Sequence, residues 1–286
     1  MSKKQTFTLA GKSYTASVQV FSGGLDELAD TAQAEGWSVS RDMLGMLRTG
    51  DNSLVAKSDA MLDRIEALEH THVQRGGLDR CVAGSVADIP AYLAGQPVAM
   101  RRRAVRVTRA PVTLVLETTT SGGVNAGQIA RRGVAALALV RKLQMAGHPV
   151  TLWLGSAMSP NNSGHSTMQA VAMDTAPLDL ARACWALASA DYQRKVTFQS
   201  AAGLAGQPHT DTTGWPFEGT YWTDTPAVQA EAYAQLLGVE VSDLIMIPST
   251  YVTMAEHFNA DAGAAKWVQD MYAKSTAYAQ KHDDAA

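Results

Sequence analysis

The chain has 286 residues, 46% of them apolar, which is enough to bury the core of one large domain or two modest ones and too apolar for a disordered chain. Its formal net charge of −3 lacks the strong basic excess of most polyanion-binding proteins. Two cysteines, Cys81 and Cys184, form no CxxC pair, so they read as idle thiols of a reducing compartment rather than as a zinc site.

The first residues, MSKKQTFTLAGKSY, hold no apolar segment of the signal-peptide kind. No window approaches the roughly 18 uninterrupted apolar residues of a membrane span. The expected setting is the cytoplasm, with no membrane contact.

Residues 5–21 alternate, with Phe7 and Leu9 before Ala10-Gly11-Lys12 and Tyr14, Ala16, Val18 and Val20 after it, a β-hairpin pattern. A helix carrying Leu25, Leu28, Ala29 and Ala32 follows and closes at Gly36. Helical spacing continues over residues 41–70, broken near Gly50. Arg75-Gly76-Gly77 marks a loop, and 89–95 is a short apolar segment. Arg101, Arg102, Arg103, Arg106 and Arg109, alternating with Val105 and Val107, suggest a strand with one charged face.

Residues 112–116 (VTLVL) form the strongest strand signal, near-continuously apolar as a central strand covered on both faces should be. The turn ETTTSGG follows, then Asn125 as an N-cap candidate. Ile129, Gly133, Ala136, Leu137, Val140 and Leu143 mark a helix face that Gly147 and Pro149 terminate, before a strand at 150–154. Arg131, Arg132, Arg141 and Lys142 fall mostly off that face. Strand, helix, strand at this spacing is a βαβ unit. Downstream, 156–166 reads as a loop, 167–173 as a strand, 178–189 as a helix and 197–217 as irregular. Helices at 228–237 and 262–280 flank a buried-strand candidate at 244–247.

Ligands of open α/β sheets gather beyond the carboxyl ends of the strands, where residues 117–123 sit. One carboxylate, four hydroxyls and a helix start can ligate a hard cation such as Mg²⁺ or hold an anion. The bland alternative is a hydroxyl-rich turn that caps the helix. The segment has neither a P-loop nor a GxGxxG pattern.

VTLVLETTTSGG resembles the first strand and metal-binding loop of von Willebrand factor A (vWA) domains, whose Asp-x-Ser-x-Ser pattern falls here on Glu117, Thr119 and Ser121. GGLDELADTAQAEGW, AGSVADIPAYLAGQPVAM, RRGVAALALVRKLQMAGHPV and AAKWV, in that order, resemble vWA-like proteins of uncharacterised function encoded by bacteriophages. The resemblance implies a vWA-like, Rossmann-type, doubly wound and mostly parallel sheet over 101–286, with an N-terminal α+β extension over 1–100. It implies a non-enzymatic adaptor or scaffold whose partner is an AAA+ ATPase or another phage component, in the host cytoplasm. It implies Mg²⁺ on Glu117, Thr119 and Ser121. Glu117 is one methylene longer than the family's Asp, which makes the loop a degenerate one. Asp174, Asp211 and Thr212 are the candidates, by residue type only, for the ligands that later loops supply.

The alternative is a single-stranded nucleic-acid-binding factor. Arg101, Arg102, Arg103, Arg106, Arg131 and Arg132 would supply the charge, and Trp215, Phe217, Tyr221 and Trp222 the stacking surfaces. A third reading is a metal-dependent hydrolase using Glu117 or the His209/Asp211 loop. His70 and His72 suit a polar helix end better than a metal pair. No nucleophile-and-base set stands out.

Overall fold

The computed structural model describes residues 3–9, 12–68, 78–81, 86–87, 89–93, 96, 100–103, 111–120, 123–158, 166–175, 178–206, 225–247 and 257–283. It is a mixed α/β structure. β1 (Lys3–Leu9) and β2 (Lys12–Phe21) form the expected hairpin. α1 (Gly24–Ala34), α2 (Arg41–Thr49) and α3 (Asn52–Leu68) follow. The break between α2 and α3 falls at Gly50, whose φ of 69° and close approach to the Ala181 backbone both require glycine.

β3 (Leu78–Cys81), β4 (Val86–Ala87), the short helix α4 (Ile89–Leu93) and β5 (Met100–Arg103) come next, the three strands forming a small sheet in the order β3-β5-β4. Then come β6 (Val112–Glu117), α5 (Ala126–Met145), β7 (Val150–Met158), β8 (Ser166–Met173) and α6 (Leu180–Ala188). A π-helical turn (Tyr192–Val196) runs straight into α7 (Thr197–Ala205). α8 (Thr225–Leu237), β9 (Leu244–Ile247) and α9 (Asp261–Asp283) complete the described elements.

The large sheet has six strands in the order β1-β2-β8-β7-β6-β9. β2–β8, β7–β6 and β6–β9 are parallel, whereas β1–β2 and β8–β7 are antiparallel. β2, which the sequence assigns to a separate extension over residues 1–100, pairs directly with β8. α1, α2 and α3 also share one apolar core with α5, α6 and α9.

Alternation along each strand sorts the sheet into two faces. Leu114, Leu116, Leu152, Leu154 and Val171 face the larger core under α5 and α6. Val115, Ala157, Met168, Val18 and Phe7 face α8. α8 packs against both edge strands, β1 and β9, and Gln235 Nε2 donates to Thr8 O at 2.9 Å. The sheet therefore curls around α8.

Residues 197–217, expected to be irregular, begin with α7. The apolar period misleads there because α7 buries Thr197 and Ser200 against polar residues of the sheet. Within residues 101–109, the strand is described for Met100–Arg103, and Arg106 and Arg109 lie outside the described residues.

Candidate functional site

Strand order fixes where a site can form. β6 leads through α5 to β7 on one side, while β9 pairs with β6 on the other. The order reverses at the carboxyl end of β6, the position at which open α/β sheets bind ligands. Glu117 is the last residue of β6 and Ile247 the last of β9.

Glu117 is wholly buried, and alternation puts it on the α8 face together with Val115. Its Oε1 accepts from Thr119 N at 3.0 Å and Ala157 N at 3.3 Å, and its Oε2 accepts from Tyr233 Oη at 2.5 Å. Tyr233 reaches it because the residue paired with Glu117 is Gly155. A Cβ at Gly155 would sit 2.5 Å from the Tyr233 ring. Burial pushes the Glu117 carboxyl above its ordinary range, against the opposing pull of these hydrogen bonds and of the nearby Thr119 hydroxyl. Burial also pushes the Tyr233 phenol well up, so it stays a donor. One turn before Tyr233, Gln229 is equally buried, and neither atom of its amide finds a hydrogen-bond partner among the described residues.

Arg132, one of the arginines assigned to a basic surface, is 1% exposed and cannot belong to one. Its Nη2 donates to Glu117 O at 2.5 Å and to Ile247 O at 3.2 Å, tying the ends of β6 and β9 together. Burial pulls its pKa down to about 10, partly offset by Glu117, so it remains cationic at neutral pH. Arg131 instead reaches Asp261 at 3.0 Å, where Arg64 binds the second carboxylate oxygen at 2.6 Å. The two arginines hold the Asp261 carboxyl below its ordinary range.

The threonines of the turn are locked from the other side. Thr118 Oγ1 donates to Gly155 O at 2.7 Å and meets Thr197 Oγ1 at 3.1 Å. Thr120 Oγ1 donates to Gln193 Oε1 at 2.6 Å, and Gln193 Nε2 donates to Leu187 O at 2.8 Å. The π-helical turn supplies Gln193, and α7 supplies Thr197. Asn125 caps α5 through a reciprocal pair with Gln128, whose Nε2 donates to Asn259 Oδ1 at 2.6 Å.

Of the three Mg²⁺ candidates, Glu117 and Thr119 come together and Ser121 lies outside the described residues. The described part fits the ion poorly. Mg²⁺ requires free oxygens in an octahedron, whereas both Glu117 carboxyl oxygens already accept from N–H and O–H donors. A guanidinium also sits on the Glu117 carbonyl. Asp174 follows β8, which runs against β7, so it lies two strands across from Glu117 and four residues, roughly 13 Å, down the strand direction. Asp211, Thr212, His209, His70, His72 and the aromatics Trp215, Phe217, Tyr221 and Trp222 lie outside the described residues.

Cys184 is a free, buried thiol that burial pushes above its ordinary pKa. No helix among the described residues is long and apolar enough to cross a membrane.

Sequence reasoning missed Tyr233, Gln193, Thr197 and the role of Arg132. The spacing of Gln229 and Tyr233, four apart on a helix, was the one available signal for polar groups turned inward. A protein-family model described as "Domain of unknown function (DUF7192)" matches residues 33–243. No curated protein and no solved structure matches the chain.

Proposed function

The chain belongs to the DUF7192 family, a domain of unknown function, and we propose that it is a non-enzymatic protein-interaction domain with a vWA-like core and a degenerate metal loop. One observation carries this reading. At the switch point the Glu117 carboxyl is enclosed by Thr119, Ala157 and Tyr233 instead of being offered to a ligand. Arg132 supplies an internal positive charge there. Among the described residues, this end of the sheet presents a polar rim, with Gln128 bonded to both Asn125 and Asn259 at the start of α5.

The vWA-like part of the reading is supported by strand order. With β6, β7, β8 and β9 as first to fourth strands, the run is 3-2-1-4, as in doubly wound sheets. β8 departs from that pattern by running antiparallel to β7. By the same resemblance the partner is an AAA+ ATPase or another phage component, bound without Mg²⁺.

Affinity capture from the native cell tests this. The full chain should retain the same partner in Mg²⁺ and in EDTA, and Glu117→Gln should retain it too. Gln128→Lys with Asn259→Lys should lower capture at least tenfold while the chain still unfolds in one cooperative transition, a few degrees lower because the α5 cap is lost. A partner released by EDTA, or held equally by the rim variant, refutes the proposal.

A further inference from the structure

α7 meets the large sheet through polar groups, whereas α5 and α6 meet it through apolar ones. Gln19 of β2, Gln169 of β8 and Ser156 of β7 are direct neighbours on three adjacent strands, Gln19 paired with Gln169 and Gln169 with Ser156. Each lies two residues from a side chain of the larger core, Phe21, Val171 and Leu154 in turn, so all three share that face. Thr118 extends the row, because it follows Glu117, whose partner is Gly155. All four residues are buried, and α7 packs across β2, β7 and β8.

The row is bonded to hydroxyls of α7. Gln169 Nε2 donates to Ser200 Oγ at 2.7 Å, and Thr118 Oγ1 meets Thr197 Oγ1 at 3.1 Å. Ser200 donates its own proton to Thr197 O at 3.0 Å, so it only accepts from Gln169, which fixes that amide with Oε1 as its open end. Gln169 Oε1, Gln19 Oε1 and Ser156 Oγ find no hydrogen-bond partner among the described residues. Oxygens left unmet in a buried row cost folding free energy, and a donor that reaches them recovers it. Adjacent strands are about 4.8 Å apart, so one small molecule spans all three oxygens. The row carries no ionisable side chain. Glu117 faces α8, and Arg132 donates to the Glu117 and Ile247 carbonyls. A charged ligand would lack a counter-charge in the row, whereas a neutral one with several O–H groups meets each oxygen.

We propose that this row is a binding site for a neutral polyhydroxylated molecule, a sugar or polyol, and that α7 covers it in the unliganded chain, with Thr197 and Ser200 standing in for the ligand's hydroxyls. The row lies one residue beyond Glu117, at the carboxyl end of β6, where open α/β sheets bind ligands. The π-helical turn Tyr192–Val196, a feature frequent at functional sites, leads into α7, and Gly206, at φ 67°, ends it. α7 lifts on these two ends to admit the ligand. The site does not use the Gln128–Asn259 rim assigned to protein contact.

Calorimetric titration of the full chain with D-glucose, D-ribose and myo-inositol, alongside tryptophan emission, tests the proposal. Trp37 lies against Gly203 of α7 and reports its movement. At least one probe should bind saturably and change the emission, a change that Trp37→Phe removes. Thr197→Val with Ser200→Ala, which takes the stand-in hydroxyls from α7, should bind that probe about fivefold more tightly, because less of the chain holds the site closed. Gln169→Leu and Ser156→Ala should each bind it about tenfold more weakly, the loss of one hydrogen bond. Gln229→Met, which removes an unmet amide on the α8 face, should bind as wild type does. No binding of any probe to wild type or to the α7 variant overturns the proposal and leaves the three oxygens to water. So does binding that Gln169→Leu leaves unchanged, or tighter binding of glucose 6-phosphate or glucosamine than of glucose, which would mark a site for charge.

Discussion

Arg131 and Arg132, neighbours on α5, occupy opposite environments. Arg132 lies beneath the carboxyl ends of β6 and β9, donating to two strand-end carbonyls. Arg131 reaches outward instead, sharing the Asp261 carboxylate with Arg64. A guanidinium enclosed by backbone oxygens fastens the fold, whereas a part-exposed ion pair adds little to it. The sequence alone places Arg131 and Arg132 in one class. Topology separates them.

That contrast can be broken most forcefully at Arg132. Arg132→Ala should lower unfolding free energy by about 3 kcal/mol, because it leaves a buried carboxyl without its internal cation and two strand ends untied. Urea denaturation measures this, and a loss under 1 kcal/mol would place the side chain at the surface after all. Tyr233→Phe comes next, at about 2 kcal/mol, since it strips a hydrogen bond from the buried Glu117. Thermal unfolding that matches wild type would show that the phenol is dispensable.

The smallest shift runs the other way. Gln229→Met should raise stability by about 1 kcal/mol, because it replaces a buried amide that has no hydrogen-bond partner among the described residues. A destabilised Gln229→Met protein would mean that the amide has a partner in solution.

Sequence made the βαβ centre readable because several local signals agree there. The apolar run of β6, the Asn125 cap and the Gly147–Pro149 stop all point to one structure, and Asn125 does cap α5. Gly50 likewise divides α2 from α3 as its position suggests. Periodicity failed where burial is polar. Thr197, Ser200 and Gln193 are all buried, yet their residue types read as loop or solvent face. Arg132 was misplaced for the same reason, since helical spacing shows an apolar stripe but not a buried cation beside it.

Long-range pairing was equally hidden. Nothing local announces that β2 joins β8, or that Gly155 leaves room for Tyr233 to reach Glu117 from α8. Glu117 itself was found, but its Asp-like place in the pattern suggested an outward ligand. The alternation that puts it with Val115 turns it toward α8.

The central claim is that the Glu117 carboxyl is an interior hydrogen-bonding group, and unfolding of wild type and Glu117→Gln across pH with and without 10 mM Mg²⁺ tests it most directly. The folded state raises this carboxyl's pKa, so it holds its proton to higher pH than the unfolded chain does. Stability from this group is therefore fully present below the unfolded value of about 4.5 and declines as pH rises through the folded value. The account predicts that wild type shows this decline, that Glu117→Gln does not, and that Mg²⁺ shifts neither protein. Stabilisation of wild type alone by Mg²⁺, which would reach about 2.7 kcal/mol at one hundred times the dissociation constant, would contradict it.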